Sequence, residues 1–245
     1  MRFIISLLAV LFVLPSYAQL GKQKNTTRYY TFAQVYDSAE GINIYEKLNF
    51  AMGGDSIRNT PKGYAAQNCW EDYYKSGAVL HTGYYVDGQL RSYKNFYETG
   101  QVERDFHNID YFRNEMILYW INGKVRSDII YYQGQDEVTH EYYENGNPEI
   151  AEEYAKKLEY LMYRTFWYED GKMQSDLQLV DKKKKKYSLK EYYENGQPQD
   201  EGTMQYYAEI DNFMKEGTWK VYDETGKLVA IQEYVRNQMT EEKKM

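Results

Sequence analysis

The chain has 245 residues, 42% hydrophobic and 27% charged, with 37 acidic residues against 30 basic ones. An acidic chain lacks the basic footprint that holds phosphate backbones, so nucleic acid is not an expected partner. A single cysteine, Cys69, excludes an internal disulfide and a thiolate zinc site, and reads as a small apolar residue of the interior.

The first eighteen residues, MRFIISLLAVLFVLPSYA, differ from everything after them. Arg2 opens a short apolar run, and Ser16 and Ala18 supply the small residues of a cleavage site. Residues 1–18 are therefore expected to be a secretory signal peptide. The run is shorter than the ~20 apolar residues of a membrane-spanning helix, and no second candidate follows. The expectation is an exported protein, periplasmic or extracellular, with no integral membrane segment after cleavage. Residues 19–68 show no repeat and are read as an N-terminal capping segment.

From residue 69 to 235 one pattern recurs: two aromatics, two residues and a glycine. It is spelled YYKSG at 73, YYVDG at 84, FYETG at 96, YWING at 119, YYENG at 142, WYEDG at 167 and YYENG at 192. A looser copy, WKVYDETG, begins at Trp219, and YYQGQ at 131 reads as a worn one. Asn-Gly and Asp-Gly favour two-residue hairpin turns with positive φ. Such turns predict that the second aromatic faces an apolar residue across each hairpin, as in Tyr74 with Val79, Tyr85 with Leu90 and Tyr143 with Pro148. In the last unit an extra residue predicts a three-residue loop closing on Gly226, with Tyr222 opposite Leu228. Pro148 and Pro198 then stand where no hairpin hydrogen bond is made. The fold class expected is all-β: an elongated, single-layer antiparallel sheet of repeated β-hairpins. Residues 236–245, ending TEEKKM, read as a charged, frayed tail.

Units of the form YYENGQP…EG…GTWKVYDETGKL resemble the bacterial MORN repeat variant, a YwqK-like family often labelled an antitoxin component. The resemblance extends over roughly residues 70–235. It implies a hairpin-repeat scaffold that binds protein partners, and more distantly a neutralising partner of a toxin.

Little in the sequence points to catalysis. His81, His107 and His140 lack metal-ligand spacing, no phosphate-binding glycine loop is present, and no nucleophile has a base beside it. Glu144, Glu169 and Glu194 could suggest a glycosidase pair, but they occupy the exposed position before each turn. No catalytic residue, cofactor or metal is therefore expected. The lysine run at 181–186, DKKKKK, reads as a solvated hairpin tip that blunts a sheet edge; contact with anionic envelope polymers or lipid headgroups is its functional alternative. The candidate binding feature is a stripe of first aromatics on one face: Tyr73, Tyr84, Phe96, Tyr119, Tyr142, Trp167 and Tyr192. With Arg91, Glu103, Arg126, Glu149 and Gln174 expected between them, these rings could anchor a protein partner or stack an envelope glycan, or simply cover a thin sheet.

Overall fold

The computed structural model describes residues 29–37, 42–43 and 57–245. The leader at 1–18 and much of the 19–68 segment lie outside the described residues. Near the start stand β1 (Tyr29–Tyr30), one turn of helix α1 (Phe32–Val35), β2 (Tyr36–Asp37) and β3 (Ile42–Asn43). The hairpins follow in chain order: β4 (Asn68–Tyr74) with β5 (Val79–Val86), β6 (Gln89–Phe96) with β7 (Val102–Asn108), and β8 (Arg113–Tyr119) with β9 (Val125–Tyr132). Next come β10 (Gln135–Tyr142) with β11 (Pro148–Tyr154) and β12 (Leu161–Trp167) with β13 (Met173–Asp181). The last strands are β14 (Lys186–Tyr192), β15 (Pro198–Tyr207), β16 (Asn212–Tyr222), β17 (Leu228–Val235) and β18 (Gln238–Lys244).

Among the described residues sixteen strands form one open sheet, ordered as in the chain apart from β2 and β3, which pair separately. Strand β1 runs parallel to β4, and every later neighbour is antiparallel. The expected all-β repeat of hairpins is what the chain forms. Its last residues do not fray: β18 pairs with β17 from Gln238 opposite Val235 to Lys244 opposite Ala230. Lysine and glutamate along this outermost strand are the residues that discourage further strand addition. No helix among the described residues is long and apolar enough to cross a membrane.

The two edges of the sheet use different turns. On one edge the hairpin closes as in β10–β11: the Tyr143 N–H donates to the Asn147 carbonyl at 2.9 Å, and the Gly146 N–H returns to the Tyr143 carbonyl at 2.8 Å. Three residues form the loop and the glycine takes the left-handed conformation, φ 91° at Gly146, a loop form known for hairpins. The same closure recurs at Tyr74, Tyr97, Trp120, Tyr168, Tyr193 and Asp223. The two-residue turn expected at six of these units is thus corrected, and only the last unit was read with the right loop.

The opposite edge carries the return turns. Two-residue turns occur there at Asp87–Gly88, where Tyr85 faces Leu90 as expected, and at Gln133–Gly134. YYVDG and YYQGQ are therefore return turns of the other edge, not further copies of the tip. Without Gly88, the tip glycines 77, 100, 123, 146, 171, 196 and 226 fall 23 to 30 residues apart, one per hairpin.

Each three-residue loop moves the pairing by one position. The first aromatic, not the second, faces the apolar residue: Tyr73 opposite Val79, Phe96 opposite Val102, Tyr119 opposite Val125 and Tyr142 opposite Pro148. One residue on each return strand is then skipped, as with Leu80, Glu103, Arg126 and Glu149. Such a bulge strengthens the local twist. It also accounts for adjacent residues, Leu80 with His81 and Glu103 with Arg104, both being buried.

One face of the sheet, the packed face, holds the second aromatics and the core. Its N-terminal cluster is built on Trp70, Tyr85, Tyr93, Phe106, Met116 and Tyr131, and a second cluster on Leu161, Leu177 and Tyr187. Residues 57–66 lie against the first, where Ala66 is fully buried and Arg58 forms a buried ion pair with Asp72 at 2.6 Å. The Arg58 guanidinium also stands 4.8 Å from the Trp70 ring centre, a favourable cation–π distance. Cys69 is half-buried.

Candidate functional site

The site is built on the tips of the three-residue loops. In each hairpin the first aromatic and its apolar opposite share one face, because directly opposed residues of antiparallel strands do. That face is the one away from the packed core. Six of the seven expected stripe residues, Tyr73, Phe96, Tyr119, Tyr142, Trp167 and Tyr192, occupy the same position in successive hairpins and are half-buried. Tyr84 does not join them. It belongs to a return strand, faces Cys69 and Ser92, and is 38% exposed nearer the other edge.

The register also changes what lies between the rings. Val79, Val102, Val125, Pro148, Met173 and Pro198 alternate with them, where polar side chains were expected in every hairpin but the first, whose expected partner was Leu80. The polar residues lie at the bulges with the second aromatics instead, as Arg126 does 4.8 Å from the Trp120 ring centre. Tyr222 with Leu228 extends the row by a seventh hairpin, a member missed because its doublet is spelled Tyr-Asp. Behind the row the same face turns polar, with ion pairs Lys94–Asp105 at 2.6 Å and His107–Glu115 at 3.0 Å. Burial, then the charge of Asp105, raises the pKa of the Tyr119 hydroxyl.

Two sets of side-chain hydrogen bonds hold the tips in line. The second aromatic of each hairpin donates to the carbonyl of the first aromatic of the next: Tyr74 to Phe96, Tyr97 to Tyr119, Trp120 to Tyr142, Tyr143 to Trp167, Tyr168 to Tyr192 and Tyr193 to Tyr222, all at 2.8–3.0 Å. The loops themselves are linked through asparagine. Asn145 accepts from the Asn147 N–H of its own loop at 2.7 Å and donates to the Glu169 carbonyl of the next at 2.8 Å. Asn122 and Asn195 do the same toward Glu144 and Glu224. Asp170 has no amide to donate, and there Lys172 reaches the Glu194 carbonyl at 3.0 Å.

The histidines stand apart from the stripe's rings. His81 is buried, with Nδ1 2.8 Å from Asn95 Oδ1, and burial lowers its pKa from 6.5 to about 4. His107 is paired with Glu115. Among the described residues no cluster of His, Cys, Asp or Glu is placed to hold a metal ion. The lysine run forms the β13–β14 turn, where Lys182 lies 4.5 Å from the Tyr160 ring centre and Lys185 4.9 Å from that of Tyr206.

No curated protein matches the chain. Residues 188–207 and 215–236 match the MORN repeat variant family. These segments are the β14–β15 and β16–β17 hairpins, whose loop closure and side-chain bonds recur in the five hairpins before them. The last two hairpins of the sheet thus carry sequence similar to the MORN repeat variant family, and the hairpins before them repeat their closure.

Proposed function

We propose that the protein is an exported, non-enzymatic binding module that holds a protein partner along its row of first aromatics. The observation behind this reading is the row itself: Tyr73, Phe96, Tyr119, Tyr142, Trp167 and Tyr192 alternate with valine, proline and methionine and remain half-exposed. Aromatic side chains bury much area at little cost in conformational entropy, which is why they anchor interfaces. The tip bonds fix their spacing before any partner arrives, so little ordering is left for binding to bring about. Export rests on the apolar leader at residues 1–18.

Site-specific photo-crosslinking from Trp167, in cells that make the protein, tests the reading beside a Tyr142→Ala/Tyr192→Ala variant. A single crosslinked chain that the folded variant no longer captures supports it. The rings equally suit an envelope glycan, the second reading, for which the same variant should lose retention on cell-wall sacculi and soluble sugar should compete. Equal behaviour of variant and parent in both assays would leave the stripe a structural feature and overturn both readings.

A further inference from the structure

A concave site lies on the packed face, toward the edge of the return turns. A cavity of about 620 Å³ opens there between the β11–β12 connection and the β13–β14 and β15–β16 turns. Its volume falls within the range of small-molecule sites. Tyr154, Tyr160, Tyr187, Tyr206 and Phe213 supply aromatic walls, and Leu161 an aliphatic one.

These rings are held in place. Phe213 stands edge-on to Tyr187, with ring centres 4.9 Å apart and planes at 88°, and 5.3 Å from Tyr206. The Tyr187 hydroxyl donates to the Leu161 carbonyl at 2.8 Å, and that of Tyr206 to Asp211 at 2.6 Å.

The polar lining indicates what the cavity would take. Asp136, Glu152, Glu159 and Asp211 outnumber Arg164 and Lys185, so an anionic ligand would be repelled. Lys185 already lies over the Tyr206 ring, and a ligand cation seeking that ring would meet a like charge. Glu152 and Arg164 form an ion pair, and with Asp136 and Asn212 they offer planar acceptors and donors beside the rings. An extended peptide would need an open strand edge, but β10 to β16 are all paired on both sides. Flat apolar walls beside planar hydrogen-bonding groups suit a pyranose ring, which is apolar on its faces and hydroxylated at its rim.

We infer that this cavity binds a short neutral oligosaccharide. It faces away from the aromatic row, so it does not depend on what the row binds. Calorimetric titration of the purified chain with maltotriose, cellotriose and triacetylchitotriose, and with trigalacturonate as an anionic control, tests this. At least one neutral trisaccharide should bind and trigalacturonate should not. Tyr206→Ala should weaken that binding roughly tenfold, while Tyr206→Phe, which keeps the ring, should stay within about threefold of the parent. Tyr160→Ala provides a second probe should Tyr206→Ala not fold, and Tyr111→Ala, at an exposed ring outside both the cavity and the row, should leave the titration unchanged. Failure of all three neutral sugars to bind, equal binding of trigalacturonate, indifference to the folded cavity variants or loss of binding in Tyr111→Ala would each overturn the assignment.

Discussion

The hydroxyl of Tyr143 donates to the carbonyl of Trp167 at 2.8 Å, across 24 residues of sequence and two strands of sheet. The need for this bond follows from the register. Between β11 and β12 the last pair toward the tips is Ile150 with Phe166, so the ladder has ended when the chain reaches Trp167. Trp167 faces Met173 one step beyond the hydrogen-bonded pair Tyr168–Lys172, and its backbone groups therefore point out of its own hairpin. The second aromatic of the preceding hairpin supplies the partner that the preceding strand no longer can.

Tyr143→Phe keeps the ring and removes this donor alone. A bond of this kind contributes about 1 kcal/mol, and leaving its acceptor partly buried and unmet adds to the loss. Unfolding in urea should show a destabilisation of about that size, with faster amide exchange concentrated at Tyr168 and Gly171. An effect below the error of the titration would mean that water replaces the hydroxyl without cost.

The hairpins themselves were legible in the residues, because aromatic pairs followed by Asn-Gly or Asp-Gly mark strand ends and turns whichever loop is formed. The loop length was not. Asn-Gly fits both a two-residue turn and a three-residue loop ending in glycine, and the choice moves every opposite by one residue. That single step exchanged the neighbours of Tyr142 and Tyr143, and with them the character of the stripe. Pro148 stands clear of the hairpin hydrogen bonds under either register, although its opposite is Tyr142 and not the expected Tyr143. The lateral bonds were beyond reach for another reason: Tyr193 meets Tyr222, 29 residues away, only once the register between hairpins is known. The cavity joins side chains from Gln135 to Phe213, and no local pattern marks them.

Asn145 and Asp170 occupy the same loop position and should respond oppositely to exchange. Asn145→Asp loses the donation to the Glu169 carbonyl and sets a carboxylate against it. Asp170→Asn loses only an exposed pairing with Lys172, while the Lys172 bond to the Glu194 carbonyl can persist. The first change should cost about 1 kcal/mol and the second should leave the urea midpoint within error of the parent's. Equal effects would show that the asparagine bridge is dispensable.

Gly202 faces Leu189 on β14 in the packed sheet, beneath the fully buried indole of Trp219. A Cβ at Gly202 would overlap Cγ, Cδ2 and Cε2 of that indole. Gly202→Ala should therefore displace Trp219 and destabilise the protein by about 1–3 kcal/mol, the usual penalty of overpacking. Gly217 has open space about it but φ 69°, so Gly217→Ala should cost only about 1 kcal/mol. Only Gly202→Ala should also move the Trp219 fluorescence. A similar spectral shift in both variants would contradict the steric account.

Glu191 and Asp200 face one another between β14 and β15, with Lys215 2.8 Å from Asp200. Burial, then hydrogen bonding with Asp200 and its charge, raises the Glu191 carboxyl from 4.5 to about 7. Because the folded value lies above the unfolded one, its stabilising contribution is complete below pH 4.5 and is lost as the pH rises through about 7. His81 works in the other direction. Its pKa falls from 6.5 to about 4 on burial, so its contribution is complete above pH 6.5 and is lost as the pH falls through about 4. The two oppose one another over one pH window, and the parent's profile superposes them with other shifted carboxyls such as Asp136 and Glu141. Glu191→Gln is neutral at every pH and removes one of them. Relative to the parent it should gain stability as the pH rises from 4.5 to about 7 and level off above that, with little advantage at the acid end. Urea midpoints for the two proteins at several pH values measure that gap directly; a gap that stays constant with pH would show that Glu191 titrates as an ordinary exposed carboxylate.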